Sequence, residues 1–224
     1  MKPLTSAAII LRRTNYGEAD RILQLLTPDH GVVSTIAKGV RREKSKLAGG
    51  LELLAICDVT IIRGRGDLGI VSSARLRQFY GHILRDYTRL QFAYEAIRRV
   101  AGAAEMVPEP EFYALLARIF ASLDDLTIDV RLSEIWFRLN LARLLGRGLN
   151  VRYDVAGQKL AAHSKYNFDI GEMSFVPAPN GRFDGETIKF LRIASAKPPE
   201  TLRQIGGLDD VLESALWLAR VVSE

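Results

Sequence analysis

The residues of this chain with the most direct chemistry are the cations of one short stretch, residues 36–47. Five of its twelve residues are Lys or Arg, and a single acid, Glu43, interrupts them. The five are Lys38, Arg41, Arg42, Lys44 and Lys46. Because the stretch joins two strand-like apolar runs, it suits a strand-backed cradle for phosphates. A surface loop that only keeps the protein soluble would carry the same charges, so both interpretations stay open at this point.

The distribution of charge along the chain bears on that choice. The chain has 224 residues and a formal net charge of +5. Residues 1–80 hold 13 Lys or Arg against 7 Asp or Glu, whereas residues 81–224 hold 18 against 19. The N-terminal part is therefore the candidate contact surface for a polyanion.

The elements that must position these cations are strands and turns. Short apolar segments recur through the first eighty residues, and turn signals separate them, most clearly at residues 28–31 and in the glycine-rich connection 63–67. We predict strands at 7–11, 21–27, 32–37, 51–62 and 68–76, with residues 12–17 turning out of the first strand. Five short strands with no helix between most of them indicate a small, partly open barrel such as the OB-fold.

OB-folds bind single strands of nucleic acid through basic grooves and stacking aromatic side chains. Aromatic residues are few in this region: Tyr16, Phe79 and Tyr80. We therefore expect a surface that grips mainly phosphates, with weak sequence selectivity and strong dependence on salt. The side chains predicted to contact the phosphates of a nucleic acid are Arg12, Arg13, Arg21, Lys38, Arg41, Arg42, Lys44, Lys46, Arg63 and Arg65.

Three motifs at characteristic spacing resemble the start of the RecO family, the bacterial recombination mediators and strand-annealing proteins. They are Asn-Tyr-Gly-Glu-Ala-Asp-Arg at 15–21, Thr-Pro-Asp-His-Gly at 27–31 and Ala-Lys-Gly-Val-Arg-Arg at 37–42. Two shorter motifs extend the match: Ser-Lys-Leu at 45–47 and Arg-Gly-Arg-Gly-Asp-Leu at 63–68.

The resemblance implies an N-terminal OB-fold, a helical body and a small zinc-ribbon-like lobe inserted in that body. It also implies binding of single- and double-stranded DNA, annealing of complementary strands and no catalytic chemistry. The implied partners are RecR and the C-terminal tail of single-stranded DNA-binding protein, and the implied location is the cytoplasm, at the nucleoid.

From residue 81 the apolar spacing changes to that of helices. The first helix is predicted to run from residue 81 over about twenty residues, and four more helices are predicted at 111–123, 129–145, 184–194 and 208–222, with a short one near 200–205. The predicted core stripe of the first helix is Ile83, Tyr87, Leu90, Tyr94, Ile97 and Ala101. Trp136 of the third helix is predicted to lie in the core.

The face opposite that stripe carries arginines around an aromatic residue. Its members are Arg85, Arg89, Phe92, Ala96 and Arg99. A solvated basic face is one interpretation. The other is a docking site for an acidic tail that ends in an apolar residue, since the arginines and an exposed Phe92 would match both properties.

Residues 150–183 occupy the place where many RecO proteins carry paired cysteines for a structural zinc, but this segment has no cysteine. His163 with scattered carboxylates such as Asp154 and Asp169 does not make a structural zinc site. We predict a metal-free lobe held by apolar contacts. The residues predicted to supply them are Tyr153, Tyr166, Phe168, Phe175 and Phe183.

The remaining signals exclude several classes of protein. No apolar run approaches the roughly 20 residues of a membrane-spanning helix. The chain has a single cysteine, Cys57, which rules out an internal disulfide. We predict that it is a buried thiol in a reducing, cytoplasmic setting. The histidines at 30, 82 and 163 show no spacing typical of a triad or a metal site. We predict neither an enzyme nor a cofactor.

The sequence therefore predicts an α+β protein with an N-terminal five-stranded OB-fold barrel at 1–80 that binds DNA. A helical domain follows at 81–224 and includes the degenerate, cysteine-free zinc-ribbon-like lobe at 150–183. The predicted function is that of a recombination mediator that anneals single strands and assists recombinase loading. Two alternatives stay open: an RNA-binding OB-fold module without annealing activity, and a hydrolase or transferase that uses the barrel as a substrate clamp.

Overall fold

The computed structural model describes residues 3–63, 68–107 and 109–224. By its internal contacts the chain divides into two compact units, residues 1–124 and 125–224. The first unit contains the strands of the N-terminal part and two helices. The predicted domain boundary at residue 80, just after the last of these strands, stays a prediction.

The first unit is built on a closed barrel of five strands, in the order β1-β2-β3-β5-β4. The strands are β1 Leu4–Tyr16, β2 Asp20–Thr27, β3 Gly31–Ala37, β4 Ala55–Arg63 and β5 Gly69–Phe79. All neighbouring pairs are antiparallel except β3 and β5, which pair in parallel at Thr35–Gly69 and Ile36–Ile70. This parallel pair closes the barrel, so the prediction of a partly open barrel is wrong in that detail.

Alternate residues of the strands fill the barrel core, as period-2 patterning requires. Leu23, Leu25, Val59 and Val71 are each at most 3% exposed. Cys57 is fully buried among them, and this burial raises the pKa of its thiol. A protonated, enclosed thiol agrees with the predicted structural role for this cysteine.

Four strand ends differ from the prediction by three residues or more: both ends of β1, the start of β4 and the end of β5. β1 does not turn away at Arg12: it continues to Tyr16 because its residues keep pairing with β2, as far as Tyr16 opposite Asp20. Gly17, with a φ of +54°, then makes the turn. β4 begins at Ala55 rather than residue 51, because Leu54 has a φ of +54° that interrupts an extended chain.

Two helices complete the first unit, α1 Tyr87–Met106 and α2 Glu111–Asp124. A short 3₁₀ segment at Gly81–Arg85 precedes α1, so the α-helix starts six residues later than predicted. Asp86 is the N-cap of α1, because its carboxylate accepts the backbone N–H of Arg89 at 3.0 Å and so caps the first turn.

The second unit contains four helices, α3 Val130–Leu144, α4 Gly185–Ala196, α5 Pro199–Leu202 and α6 Asp209–Val222. α3 packs on α6 and α4. Trp136 is 8% exposed, which confirms its predicted place in the core. Glu134 of α3 accepts hydrogen bonds from Arg138 and Arg220, both at 2.8 Å, and so joins α3 to α6 with paired charges.

The predicted cysteine-free lobe contains a two-stranded antiparallel sheet, β6 Tyr166–Asp169 with β7 Ser174–Pro177. Phe175 is fully buried, and three rings meet it nearly edge-on at centroid distances of 5.3–6.3 Å. The three are Tyr166, Phe168 and Phe183. Aromatic packing of this kind stabilises the lobe, as predicted, but Tyr153 is 48% exposed and lies outside the cluster.

Asp154, one of the scattered carboxylates of the lobe, bonds to the backbone of the lobe. It is buried, and its carboxylate accepts the N–H groups of Ala156 and Gln158 at 2.9 and 2.8 Å. Within the described residues, no group of three or more His, Cys, Asp or Glu side chains is placed to hold a metal ion. No helix in the described ranges is both long and apolar enough to cross a membrane.

Candidate nucleic-acid interface

The basic loop, residues 38–46, is attached to the turn of the β1–β2 hairpin by hydrogen bonds. The N–H of Gly39 donates to the Asp20 carboxylate at 2.7 Å, and the N–H of Arg41 donates to the Ala19 carbonyl at 2.9 Å. The Arg41 guanidinium also donates to the Gly17 carbonyl at 3.3 Å. These hydrogen bonds to the hairpin therefore fix the path of the loop.

The loop also contains its own turns and an apolar anchor. Gly39 has a φ of +64°, and the N–H groups of Arg42 and Ser45 donate to the carbonyls of Gly39 and Arg42 at 3.1 and 3.0 Å. Val40 is 3% exposed and belongs to the barrel core. With Val40 directed inward and the backbone bonded, the charged side chains of the loop are left on the surface.

All five predicted cations of the loop are exposed: Lys38, Arg41, Arg42, Lys44 and Lys46. The carboxylate of Asp20 at the hairpin is engaged by the Gly39 N–H, and the exposed acids Glu18 and Glu43 offset only part of the five positive charges. The loop therefore presents a concentration of positive charge on a fixed backbone, which is the electrostatic arrangement that a phosphate chain recognises.

The predicted arginines of the hairpin lie on both sides of its two strands. Residues directly opposite each other on neighbouring strands project to the same side of the sheet. Arg13 lies opposite Leu23, and Arg21 lies opposite Asn15 and Ala37. Since Leu23 and Ala37 are core residues, both arginines belong to the inner side, near the end of the barrel. Arg12 is exposed and belongs to the outer side.

Arg21 is held close to the start of the basic loop. It is half-buried, its Nε donates to the Asn15 side chain at 3.2 Å, and its strand neighbour Ala37 directly precedes Lys38. Arg21 and the basic loop thus occupy one end of the barrel. We refer to this end, with the hairpin arginines and the basic loop, as the basic end.

The last two predicted residues are Arg63, which ends β4, and Arg65, which follows it in the sequence. Arg65 lies outside the described residues. The backbone of Arg63 pairs with Gly69, which in turn neighbours Thr35 of β3. The end of β4 therefore lies close to β3, the strand that leads into the basic loop.

The prediction missed two arginines on β5. Arg75 and Arg77 are exposed on alternate positions of the strand, and both pair with Asp58 of β4, Arg75 at 3.4 Å. The hydrogen bond from Arg77 holds the pKa of the Asp58 carboxyl below its ordinary value. Their two-residue spacing at the end of the predicted strand 68–76 was the available signal. Because Asp58 offsets part of their charge, we expect Arg75 and Arg77 to contribute less to anion binding than the cations of the basic loop.

The predicted docking face of the first helix is wrong in its central feature, an exposed aromatic ring. Phe92 is 5% exposed and Arg89 is 7% exposed, and the Arg89 guanidinium donates to the Leu123 carbonyl of α2 at 3.0 Å. Arg99 pairs with Glu95 at 2.7 Å, and Arg85 is exposed but lies in the 3₁₀ segment before the helix.

The predicted core stripe of this helix is confirmed at Ile83 and Ile97, which are buried, but it is wrong at its two tyrosines. Tyr87 is 74% and Tyr94 46% exposed, whereas Ala93, Ala96 and Val100 are fully buried. The buried stripe is rotated toward the small residues, which let the helix pack closely against its neighbours. This rotation turns Arg89 and Phe92 inward.

The five-stranded barrel with a parallel β3–β5 pair is that of the OB-fold, a class in which strands 2 and 3 and the connections β1–β2 and β4–β5 bind oligonucleotides and oligosaccharides. The basic loop lies next to the β1–β2 connection.

Comparisons with known proteins agree with this class and narrow it. The family model described as "Recombination protein O N terminal" matches residues 1–80. The chain is 35% identical over 164 residues to the DNA repair protein RecO of Dehalococcoides mccartyi strain 195, covering 71% of this chain and 63% of that protein. It is also 35% identical over 179 residues to the DNA repair protein RecO of D. mccartyi strain CBDB1, covering 78% and 68% respectively. The chain belongs to the RecO family.

The matches span about two thirds of the length of these relatives, 63% and 68%. The family match and the basic end of the barrel fall in the same part of the chain, residues 1–80.

Proposed function

We propose that this protein is a DNA-binding recombination mediator that anneals complementary single strands and assists recombinase loading in recombinational DNA repair. Two relatives that are 35% identical are DNA repair proteins by name, which supports the repair role. The observation that carries DNA binding is the basic loop, whose exposed cations are fixed to the β1–β2 hairpin by the Gly39 and Arg41 hydrogen bonds.

Annealing requires two polyanions to approach each other. Lys and Arg side chains that neutralise phosphates release counterions and lower the repulsion between the two backbones. Because the loop backbone is already bonded to the hairpin, little of the binding free energy is lost in ordering it. Contacts of this kind position the strand without reading its sequence, and this suits a protein that must pair any complementary strands.

The proposal includes RecR and the C-terminal tail of single-stranded DNA-binding protein as partners, on the family resemblance. It also includes double-stranded DNA as a ligand and a cytoplasmic, nucleoid-associated location. The proposed activity consists of binding and annealing and invokes no bond-making step. The tail is not assigned to the α1 face, because Arg89 and Phe92 are buried there.

The experiment is a strand-annealing assay combined with a salt titration of single-strand binding. The test variant combines Lys38→Glu, Arg41→Glu and Arg42→Glu. A matched control combines Arg147→Glu, Lys159→Glu and Lys197→Glu, three exposed cations of the second unit with the same total change of charge. We expect the test variant to lose annealing and to show a salt slope lower by about 2, since each lost single-strand phosphate contact contributes about 0.7.

Equal losses in the two variants would contradict the proposal, because they would reflect net charge rather than the basic loop. Absence of annealing by the wild type at low salt, relative to protein-free strands, would contradict the annealing role directly. Competition between DNA and RNA of the same sequence tests the alternative of an RNA-binding module, which predicts a preference for RNA.

A further inference from the structure

One aromatic residue stands beside the cations of the basic end. Tyr16 is the last residue of β1 and is 56% exposed. Its backbone pairs with Asp20, whose carboxylate accepts the N–H of Gly39 in the basic loop. The residue that follows, Gly17, accepts a hydrogen bond from Arg41. The base of Tyr16 is therefore fixed to the same backbone network as the loop.

The strand register places Tyr16 on the outer side of the sheet. Tyr16, Thr14 and Arg12 alternate along β1, and the last two lie opposite Ile22 and Gln24 of β2. Those residues lie opposite Ile36 and Ser34 of β3. Arg12 is exposed, and the four residues of β2 and β3 are half-buried. An aromatic ring, two isoleucines and an arginine thus share one accessible side of three strands.

A single exposed aromatic residue is common on protein surfaces and needs no ligand to explain it. Tyr16 differs by its neighbours, since it combines a rigid strand position with adjacent apolar surface and a basic loop. Single-stranded nucleic acid is the ligand that presents both a flat apolar base and a phosphate chain, and aromatic side chains beside basic grooves are how such strands are bound.

We propose that Tyr16 stacks on an unpaired base, and that this contact makes the basic end select single-stranded over double-stranded DNA. The inference rests on the proposed function and adds to it a source of strand selectivity that phosphate contacts do not supply. In a duplex the faces of internal bases are covered by their neighbours, so only the phosphates remain available to the loop. In a single strand the ring of Tyr16 reaches a base while the loop holds the adjoining phosphates.

The test compares three ligands of equal length by fluorescence anisotropy: oligo-dT, an abasic deoxyribose-phosphate strand, and a duplex. Stacking on one base predicts that wild type binds oligo-dT about 5- to 150-fold more tightly than the abasic strand. Tyr16→Leu removes this difference, and Tyr16→Phe keeps it because the ring remains. Tyr87→Leu, which changes a tyrosine of α1 that is 74% exposed, is the matched control and leaves it unchanged.

Two further readouts separate stacking from a general loss of binding. Tyr16→Leu leaves affinity for the abasic strand, affinity for the duplex and the salt slope as in wild type, because the phosphate contacts persist. If Tyr16→Leu binds oligo-dT as tightly as wild type, the inference is wrong. If wild type binds all three ligands equally with a strong salt slope, the inference also fails while DNA binding stands. If wild type binds none of them, DNA binding itself fails.

Discussion

Arginines of the basic loop and of helix α1 occupy contrasting surroundings within the same compact unit. Arg42 is exposed on a loop that is attached by the backbone N–H groups of Gly39 and Arg41 and by the buried Val40. Arg89 is 7% exposed, and its guanidinium itself bonds to the carbonyl of Leu123. At Arg42 the backbone attaches the loop and the side chain carries the charge, whereas at Arg89 the guanidinium does both.

This difference determines whether an arginine can bind an anion or contributes to the stability of the fold. A cation whose backbone is fixed and whose head is in solvent can meet an incoming phosphate at little cost. A guanidinium that satisfies a buried carbonyl contributes to folding, because its loss leaves a polar group without a partner. Substitutions of the loop arginines are therefore expected to weaken binding, whereas substitution of Arg89 is expected to lower the free energy of unfolding.

The largest effect is expected at Arg89. Arg89→Glu places a negative charge in a buried position and removes the donor to the Leu123 carbonyl, so the free energy of unfolding should fall by about 3–5 kcal/mol. Chemical denaturation measures this change. Arg85→Glu, four residues away and exposed, is the control and should change stability by less than about 0.5 kcal/mol. Equal and small effects of the two substitutions would show that Arg89 has no structural role.

A smaller effect is expected inside the basic loop. There, Val40 should contribute to stability and the nearby Arg42 to binding. Val40→Ala removes buried methyl groups from the barrel core and should lower the free energy of unfolding by about 1–3 kcal/mol. Arg42→Ala should leave stability within about 0.5 kcal/mol while it weakens single-strand binding and lowers the salt slope. Denaturation and salt titration of both variants test this division. An Arg42→Ala variant that is unstable but binds normally would remove the contrast with α1.

The smallest effect concerns the arginines of β5. The pKa of Asp58 is lowered in the folded state, chiefly by the Arg77 hydrogen bond, so this pairing contributes stability at neutral pH that is lost as the pH falls below about 4 and toward the lowered pKa. Arg77 is exposed and Asp58 is only half-buried, so solvent screens the pair and the contribution should be small. Urea unfolding between pH 3 and 6 should show a shallower acid decline for Asp58→Asn than for wild type.

The same variant can also redefine the interface. If Asp58→Asn binds single strands more tightly than wild type, Arg75 and Arg77 belong to the DNA-contacting surface, and the basic loop is one of two cationic contacts. Unchanged affinity keeps the interface at the basic end. A steeper acid decline in the variant than in wild type would contradict the assigned role of the Asp58 carboxylate.

Much of the barrel and of the basic loop was predictable because the signals are local. Alternating apolar residues, the turn at 28–31 and the cluster of five cations each require only a few neighbouring residues to be recognised. The predicted helices of the second unit agree with α3, α4 and α6 to within two residues at each end. The aromatic cluster around Phe175 was likewise anticipated from composition.

Which face of α1 is buried was not predictable in the same way. Its sequence offers two stripes at helical spacing, one through Tyr87 and Tyr94 and one through Phe92 and Ala96, and periodicity alone does not rank them. The choice depends on what packs against the helix. Small residues allow close approach, and the Leu123 carbonyl, 34 residues away from Arg89 in sequence, accepts its guanidinium.

The sequence by itself determined that this chain has a basic, strand-rich N-terminal part, a helical remainder and a lobe without cysteines, because each of these follows from composition and short-range pattern. Only the tertiary structure decided that the basic loop is bonded to the hairpin turn, that Tyr16 stands beside it, and that Arg89 and Phe92 are buried. Those outcomes rest on contacts between residues far apart in the chain, such as Gly39 with Asp20 across 19 residues. A linear pattern does not specify such pairings, because their free energy exists only once the strands and helices have packed.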